Sequence, residues 1–194
     1  MKKIERALIS LTDKSGIEGF AHELEQLGIE ILSTGGTAKK MRDSGIAVRD
    51  VSDFTGFPEM LDGRVKTLHP KVHAGILYQR DNADHVRQMA GHGLLPVDLI
   101  AVNLYAFDKA VADPACTLAH AIENIDIGGP TMLRAAAKNF HDVTVLAEMG
   151  RDGNTTLATR FRLAVKVFQL TSRYDTAIAA WLAKVRPEAD PYFR

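Results

Sequence analysis

Ile29-Glu30-Ile31-Leu32-Ser33-Thr34-Gly35-Gly36-Thr37-Ala38 reads as a strand, a glycine-containing turn and the start of a helix. In an open α/β sheet the turn after a strand is where anions bind, because backbone N–H groups and the positive end of the helix dipole face the crevice. The two glycines let backbone approach an anion closely, and Ser33, Thr34 and Thr37 add hydroxyl donors. An ordinary strand-to-helix turn is the alternative. A Walker loop is excluded, since no Gly-Lys-Ser/Thr closes the segment.

The same alternation of apolar runs and helical patterns extends along the chain, the mark of a parallel α/β sheet. Ala7-Leu8-Ile9 is a first strand, and Ile17, Phe20, Ala21, Leu24 and Leu27 form the apolar stripe of a helix stopped by Gly28. A short helix over 38–44 ends at Gly45, and Ile46-Ala47-Val48 begins a third strand. Residues 52–80 show no clear period and read as a long loop, a feature that is functional or poorly ordered when it occurs in a compact domain. Helices are expected over 81–91, 117–123 and, with Pro130 in the first turn, 130–139. Residues 97–102 form a buried strand and Val143-Thr144-Val145 the last one. A long helix, or two, spans 156–184, with Leu157, Phe161, Ala164, Val165, Phe168, Ile178 and Leu182 on one stripe.

Val145 runs into Leu146-Ala147-Glu148-Met149 without turn residues, so a break or missing residues are expected between Val145 and Ala147. With 194 residues and 46% hydrophobic content there is enough chain for one core. We therefore expect a single domain over 1–194, with a core over 1–150 and a helical extension over 151–194. The 24 basic residues equal the 24 acidic ones, so no global field draws the chain to nucleic acid or to an anionic membrane. Cys116 is the only cysteine, which rules out a disulfide framework and fits a cytoplasmic location. No apolar run has the length of a signal segment or membrane span.

Ser10 and Lys14 follow the first strand, and a parallel sheet brings them to the same edge as the 33–37 turn. Arg64 and Lys66 alternate on one side of an extended segment, suited to gripping an anionic ligand. His69 and His73 match a zinc-ligand spacing, but that geometry needs a helix, and Pro70 and Gly75 argue against one; no metal is expected. The amides of Ile127, Gly128 and Gly129 open a helix and form a candidate oxyanion hole. Thr131, Arg134 and Lys138 share a helical face. Asp126 could serve only as a cap or turn residue. Asn103 and Tyr105 lie just past the 97–102 strand, where ligands bind.

Together these segments resemble one family, the inosine monophosphate cyclohydrolase domain of the bifunctional purine-synthesis enzyme. The resemblance is carried by Ile9–Lys14, Ser33–Thr37, Gly63–Pro70, Asn103-Leu104-Tyr105, Asn124–Pro130, Arg134–Asn139 and Thr159–Arg162, nearly the whole chain. The family's Asp-Pro-x-Asp-Tyr stretch is absent at the junction after Val145, and the transformylase half is absent from these 194 residues.

The resemblance implies a methylglyoxal-synthase-like fold, a five-stranded parallel sheet flanked by helices with a C-terminal helical extension. It implies a cofactor-free enzyme closing 5-formamidoimidazole-4-carboxamide ribonucleotide to inosine monophosphate and water. The partner is then a small nucleotide substrate, with a transformylase domain in the full-length family enzyme and a homodimer left open. By the same resemblance Ser10, Lys14, Ser33, Thr34, Gly35, Gly36, Thr37, Arg64 and Thr67 bind the phosphate end. Lys66, with the Ile127 and Gly128 amides, stabilises the oxyanion. Asp126 and Lys138 manage the amide proton, Tyr105 hydrogen-bonds the reacting end, and Asn103 positions the base. Which of Lys66, Lys138 and Asp126 is acid or base stays open. The same fold also hosts methylglyoxal synthase and non-catalytic nucleotide-binding regulatory modules.

Overall fold

The computed structural model describes residues 3–146 and 156–194. Its centre is one parallel sheet built from β1 Arg6–Ser10, β2 Glu30–Ser33, β3 Arg49–Asp50, β4 Leu99–Val102 and β5 Thr144–Leu146. The strands lie in the order β3-β2-β1-β4-β5, with Leu8 paired to Leu32 on one side and Ile100 on the other. Helices cover both faces, so Ala7, Leu8 and Ile9 are all fully buried and no apolar–polar alternation survives. On one face Leu8, Leu32, Ile100 and Val145 pack with α4 Pro70–Leu77 and α8 Gly128–Lys138. On the other, Ala7, Ile9, Ile31 and Leu99 pack with α1 Ile17–Gln26 and α2 Gly35–Asp43.

Several expectations need correction. The third strand is Arg49–Asp50, not 46–48, because the chain over 45–48 is spent stopping α2. Ile46 is buried, and its N–H bonds the Met41 carbonyl. The 52–80 region is not one loop: it holds the end of α3 Val51–Thr55 and all of α4. Pro70 suits the first turn of α4, where its missing N–H has no partner to lose. Gly75 sits mid-helix because a Cβ there would lie 2.6 Å from the Leu95 carbonyl oxygen. Helix propensity yields to that close approach.

The remaining helices are α5 Ala83–Gly91, α6 Phe107–Val111, α7 Leu118–Glu123 and α9 Leu157–Leu182. The α9 stripe is rotated from the one expected. Thr159, Arg160, Ala164, Val167 and Thr171 face inward, while Leu157, Phe161, Val165 and Phe168 are exposed. Arg160 sets that rotation: its guanidinium donates to the Phe140 and His141 carbonyls, just past the end of α8. Ala164 is buried in the same core as Ala135, Ala136 and Ala137 of α8, small side chains that allow close helix packing. The expected interruption meets β5 at Leu146, and its other side, from Ala147 to 155, lies outside the described residues. Among the described residues no helix is long and apolar enough to cross a membrane.

Candidate active site

The chain leaves β1 toward β2 and returns to β4 on the opposite side, so the carboxyl ends of β1 and β4 flank a crevice at a topological switch point. A cleft of about 700 Å³ opens there. Its walls include Ser10 at the end of β1 and Lys14 after it, Thr34, Gly36 and Thr37 at the start of α2, and Arg64, Lys66 and Thr67 from the loop before α4. Asn103 and Tyr105 after β4, and Asp126, Ile127 and Gly128 at the start of α8, complete it.

At the α2 end no described side chain caps the helix, leaving its first amides facing the cleft. Lys14 extends to the same place, with Nζ 3.9 Å from where a Cβ on Gly36 would stand. Two hydroxyls expected here as ligands are spent on the fold. Ser33 is fully buried and donates to the Ile9 carbonyl at 2.7 Å. Thr37 both accepts the Leu11 N–H at 3.0 Å and donates to the Leu11 carbonyl at 2.9 Å. Thr34, not Ser33, lines the cleft, and Gly35 lines an adjoining hollow. Asn103 is likewise occupied: its amide accepts the Thr12 N–H and donates to the Asp13 carbonyl, tying the β1 loop to the β4 loop.

Asp126 dominates the other end. Its Oδ1 accepts the Gly129 N–H at 2.9 Å and its Oδ2 the Tyr105 N–H at 3.3 Å. Burial pushes its carboxyl above the ordinary aspartate value, against the pull of those two amides and of the Lys66 charge. It caps α8 and also holds a carboxylate of raised proton affinity inside a cleft. Since it takes the Gly129 amide, the candidate oxyanion hole narrows from three amides to those of Ile127 and Gly128. A Cβ on Gly128 would meet Thr67 Oγ1 at 2.6 Å, so only glycine lets these two loops touch. Burial also raises the Tyr105 phenol, aided by the charges of Asp126 and Glu123, which keeps it a neutral donor.

Lys66 is half-buried between the two ends, its Nζ 3.8 Å from a Cβ placed on Gly35. Arg64 is ion-paired at the rim with Glu123, and that pairing lowers the Glu123 carboxyl. Lys138 is not brought into the cleft. It is exposed at the far end of α8, about 15 Å of helix rise from Gly128.

The two histidines serve the loop. His69 Nδ1 caps α4 by accepting the Lys71 N–H at 3.1 Å. His73 is pushed down by burial, hydrogen-bonds the Thr67 backbone, and leaves Nε2 buried without a partner. Among the described residues the one group of three metal-ligating side chains close together is Asp81, His141 and Asp142. It lies before β5, at the opposite end of the sheet.

Sequence reading missed two residues of this site. Glu123 lay beside a quoted motif and could have been found as the acid preceding Asn124–Pro130. Tyr174 is 48 residues from the turn it touches, on a helix read only for its apolar stripe, and gave no signal.

An MGS-like domain model matches residues 16–131, and a model described as AICARFT/IMPCHase bienzyme matches residues 136–193. The chain is 54% identical to the bifunctional purine biosynthesis protein PurH of Acidithiobacillus ferrooxidans, across 98% of this chain and 39% of that protein. It is 52% identical to the protein of the same name from Magnetococcus marinus, across 98% of this chain and 38% of the relative. The chain thus spans about two-fifths of the length of these relatives. A crystal structure of ForH superposes with a TM-score of 0.78 at 34% identity, covering 91% of this chain and 98% of that one.

Proposed function

The chain belongs to the MGS-like domain family, and from that premise we propose that it closes 5-formamidoimidazole-4-carboxamide ribonucleotide to inosine monophosphate. The observation that carries the proposal is a carboxylate of raised proton affinity, Asp126, fixed by two backbone amides opposite an uncapped helix start. An anion site and an acid–base site at two ends of one cleft suit a nucleotide that reacts at its base.

In this reading the phosphate rests on the α2 amides with Lys14 and Thr34. The carboxamide nitrogen attacks the formyl carbon, and Asp126 accepts the proton that nitrogen loses. The formyl oxygen becomes an oxyanion between the Ile127 and Gly128 amides and the Lys66 ammonium. Lys66 protonates the oxyanion to a hydroxyl, and the proton collected by Asp126 then passes to that hydroxyl, which leaves as water as its C–O bond breaks. The former formamido N–H returns its proton to Lys66 as the ring C=N forms, and the Tyr105 phenol steadies the reacting end. Atoms and electrons balance without an oxidant, reductant or group carrier. Because both reacting groups already sit on one molecule, the closure carries an intramolecular advantage of up to about 7–11 kcal/mol and needs only modest acid–base help. Within one chain Lys138 takes no part in this scheme. Cytoplasmic action accords with the unpaired Cys116.

The test is spectrophotometric. Purified chain supplied with the formamido substrate should form inosine monophosphate at a rate unaffected by exhaustive chelation. Tight nucleotide binding with no turnover would instead establish a regulatory binding module.

A further inference from the structure

We propose that Tyr174, on the C-terminal helix, is a positioning residue that holds Asp126 aimed into the cleft. The inference rests on the role given to Asp126 above and adds a residue from a part of the chain with no other place in the site. The Tyr174 hydroxyl accepts the Asp126 N–H at 2.9 Å and donates to the Asn124 carbonyl at 3.4 Å. One side chain therefore satisfies a donor and an acceptor two residues apart, and clamps the turn between them. The carboxylate of Asp126 takes its direction from that turn, since its two oxygens reach the amides of Gly129 and Tyr105.

The clamp is itself held rigidly. Phe107, almost fully buried, meets the Tyr174 ring edge-on at 6.5 Å and the Trp181 ring at 6.1 Å. Farther back, Arg160 bonds the two carbonyls beyond α8, so α9 cannot slide along its partner without breaking them. Without the tyrosine hydroxyl, a half-buried Asp126 N–H would lack this partner and the turn would reorient toward water. The geometry of the reacting end would loosen while the phosphate end, built from β1 and α2, stayed intact. Groups facing Asp126 across the site are Lys66 from the loop before α4, Tyr105 from the β4 loop and Tyr174 from α9.

Tyr174→Phe in the full chain keeps the ring and removes only the hydroxyl. We expect kcat to fall on the order of tenfold to a hundredfold, the scale of a misaligned near-attack geometry. KM and inosine monophosphate affinity should hold. Asp126 amide hydrogen exchange should accelerate, and its carboxyl titration, followed by NMR, should move down toward the ordinary aspartate value as water enters. Parental kcat together with parental Asp126 exchange and titration would overturn the proposal, whatever happens to Tm. If the parent chain does not turn over the formamido substrate, the proposed reaction fails. The exchange and titration measurements would still decide the Tyr174 clamp.

Discussion

The two ends of the sheet handle polar groups in opposite ways. At the amino end Asp98, nearly fully buried, accepts the N–H groups of Glu5 and Arg6, each at 2.8 Å, and pairs with Arg80 at 2.6 Å. Arg6 in turn grips Glu30 and the Pro96 carbonyl, and the Arg80 N–H bonds Asp142. That network is closed except for Arg80 Nε. At the carboxyl end the α2 amides, the Ile127 and Gly128 amides and the Lys66 ammonium face an open cleft. Satisfied polar groups stabilise a fold, and groups left waiting can bind and react. One sheet keeps the two tasks a strand length apart.

The sharpest way to break this contrast is to neutralise one carboxylate at each end. Asp126→Asn should lower kcat by about 10²–10⁴-fold, the range of a lost general base. Any fall in Tm should be small, because the amide oxygen can still accept the Gly129 N–H and only the longer Tyr105 bond is lost. The folded-state pKa of Asp126 lies above the unfolded value of 3.8, so the native state is penalised as pH rises through that raised pKa. The amide removes this penalty at neutral pH. Asp98→Ala should do the reverse and destabilise by about 3–5 kcal/mol in chemical denaturation, because the partly buried Arg80 loses its carboxylate and the Glu5 and Arg6 N–H groups lose their acceptor. The nucleotide affinity of the folded fraction should not change. A Tm loss for Asp126→Asn as large as that for Asp98→Ala would erase the distinction.

Next in size, Lys66→Ala should cut turnover by about 10²–10³ while inosine monophosphate still binds, the pattern of an interaction made only in the transition state. Normal turnover at saturation with weak binding would make Lys66 a phosphate ligand, in keeping with its nearness to Gly35. Glu30→Gln sharpens the amino end through pH. Burial raises the Glu30 carboxyl, but Arg6 and Arg49 hold it below 4.5 overall. Its contribution is therefore full above that value and is lost as pH falls through the lower folded one. The variant should be less stable at neutral pH and show a flatter acid limb in a stability profile. Smallest of all, Glu123→Gln should release Arg64 and tighten nucleotide binding by up to about fivefold, fading with added salt because the pair is exposed.

Much of the architecture was legible because burial on both faces writes itself as unbroken apolar runs, as in Ala7-Leu8-Ile9 and Leu99-Ile100-Ala101-Val102. The cleft was legible because parallel strands must place the turns after β1, β2 and β4 on one edge. Which atoms remain free there was not, since hydrogen bonding is settled by neighbours distant in sequence. Ser33 and Thr37 look like ligands until Ile9 and Leu11 claim their hydroxyls. Pro70 and Gly75 look like helix breakers until Leu95 presses against the one bare Cα that fits.

By itself, then, the sequence determined the parallel sheet and the glycine turn at 34–37 on its edge, because periodicity and residue chemistry are local properties, and its family resemblance named Lys66, Tyr105 and Asp126 as candidates. Only the tertiary structure decided the rotation of α9, the distance of Lys138 from the cleft and the grip of Tyr174 on Asp126. Each depends on contacts between segments that local pattern does not relate. Arg160 turns α9 by finding two carbonyls past α8, and that same turn carries a tyrosine hydroxyl to the backbone of Asp126.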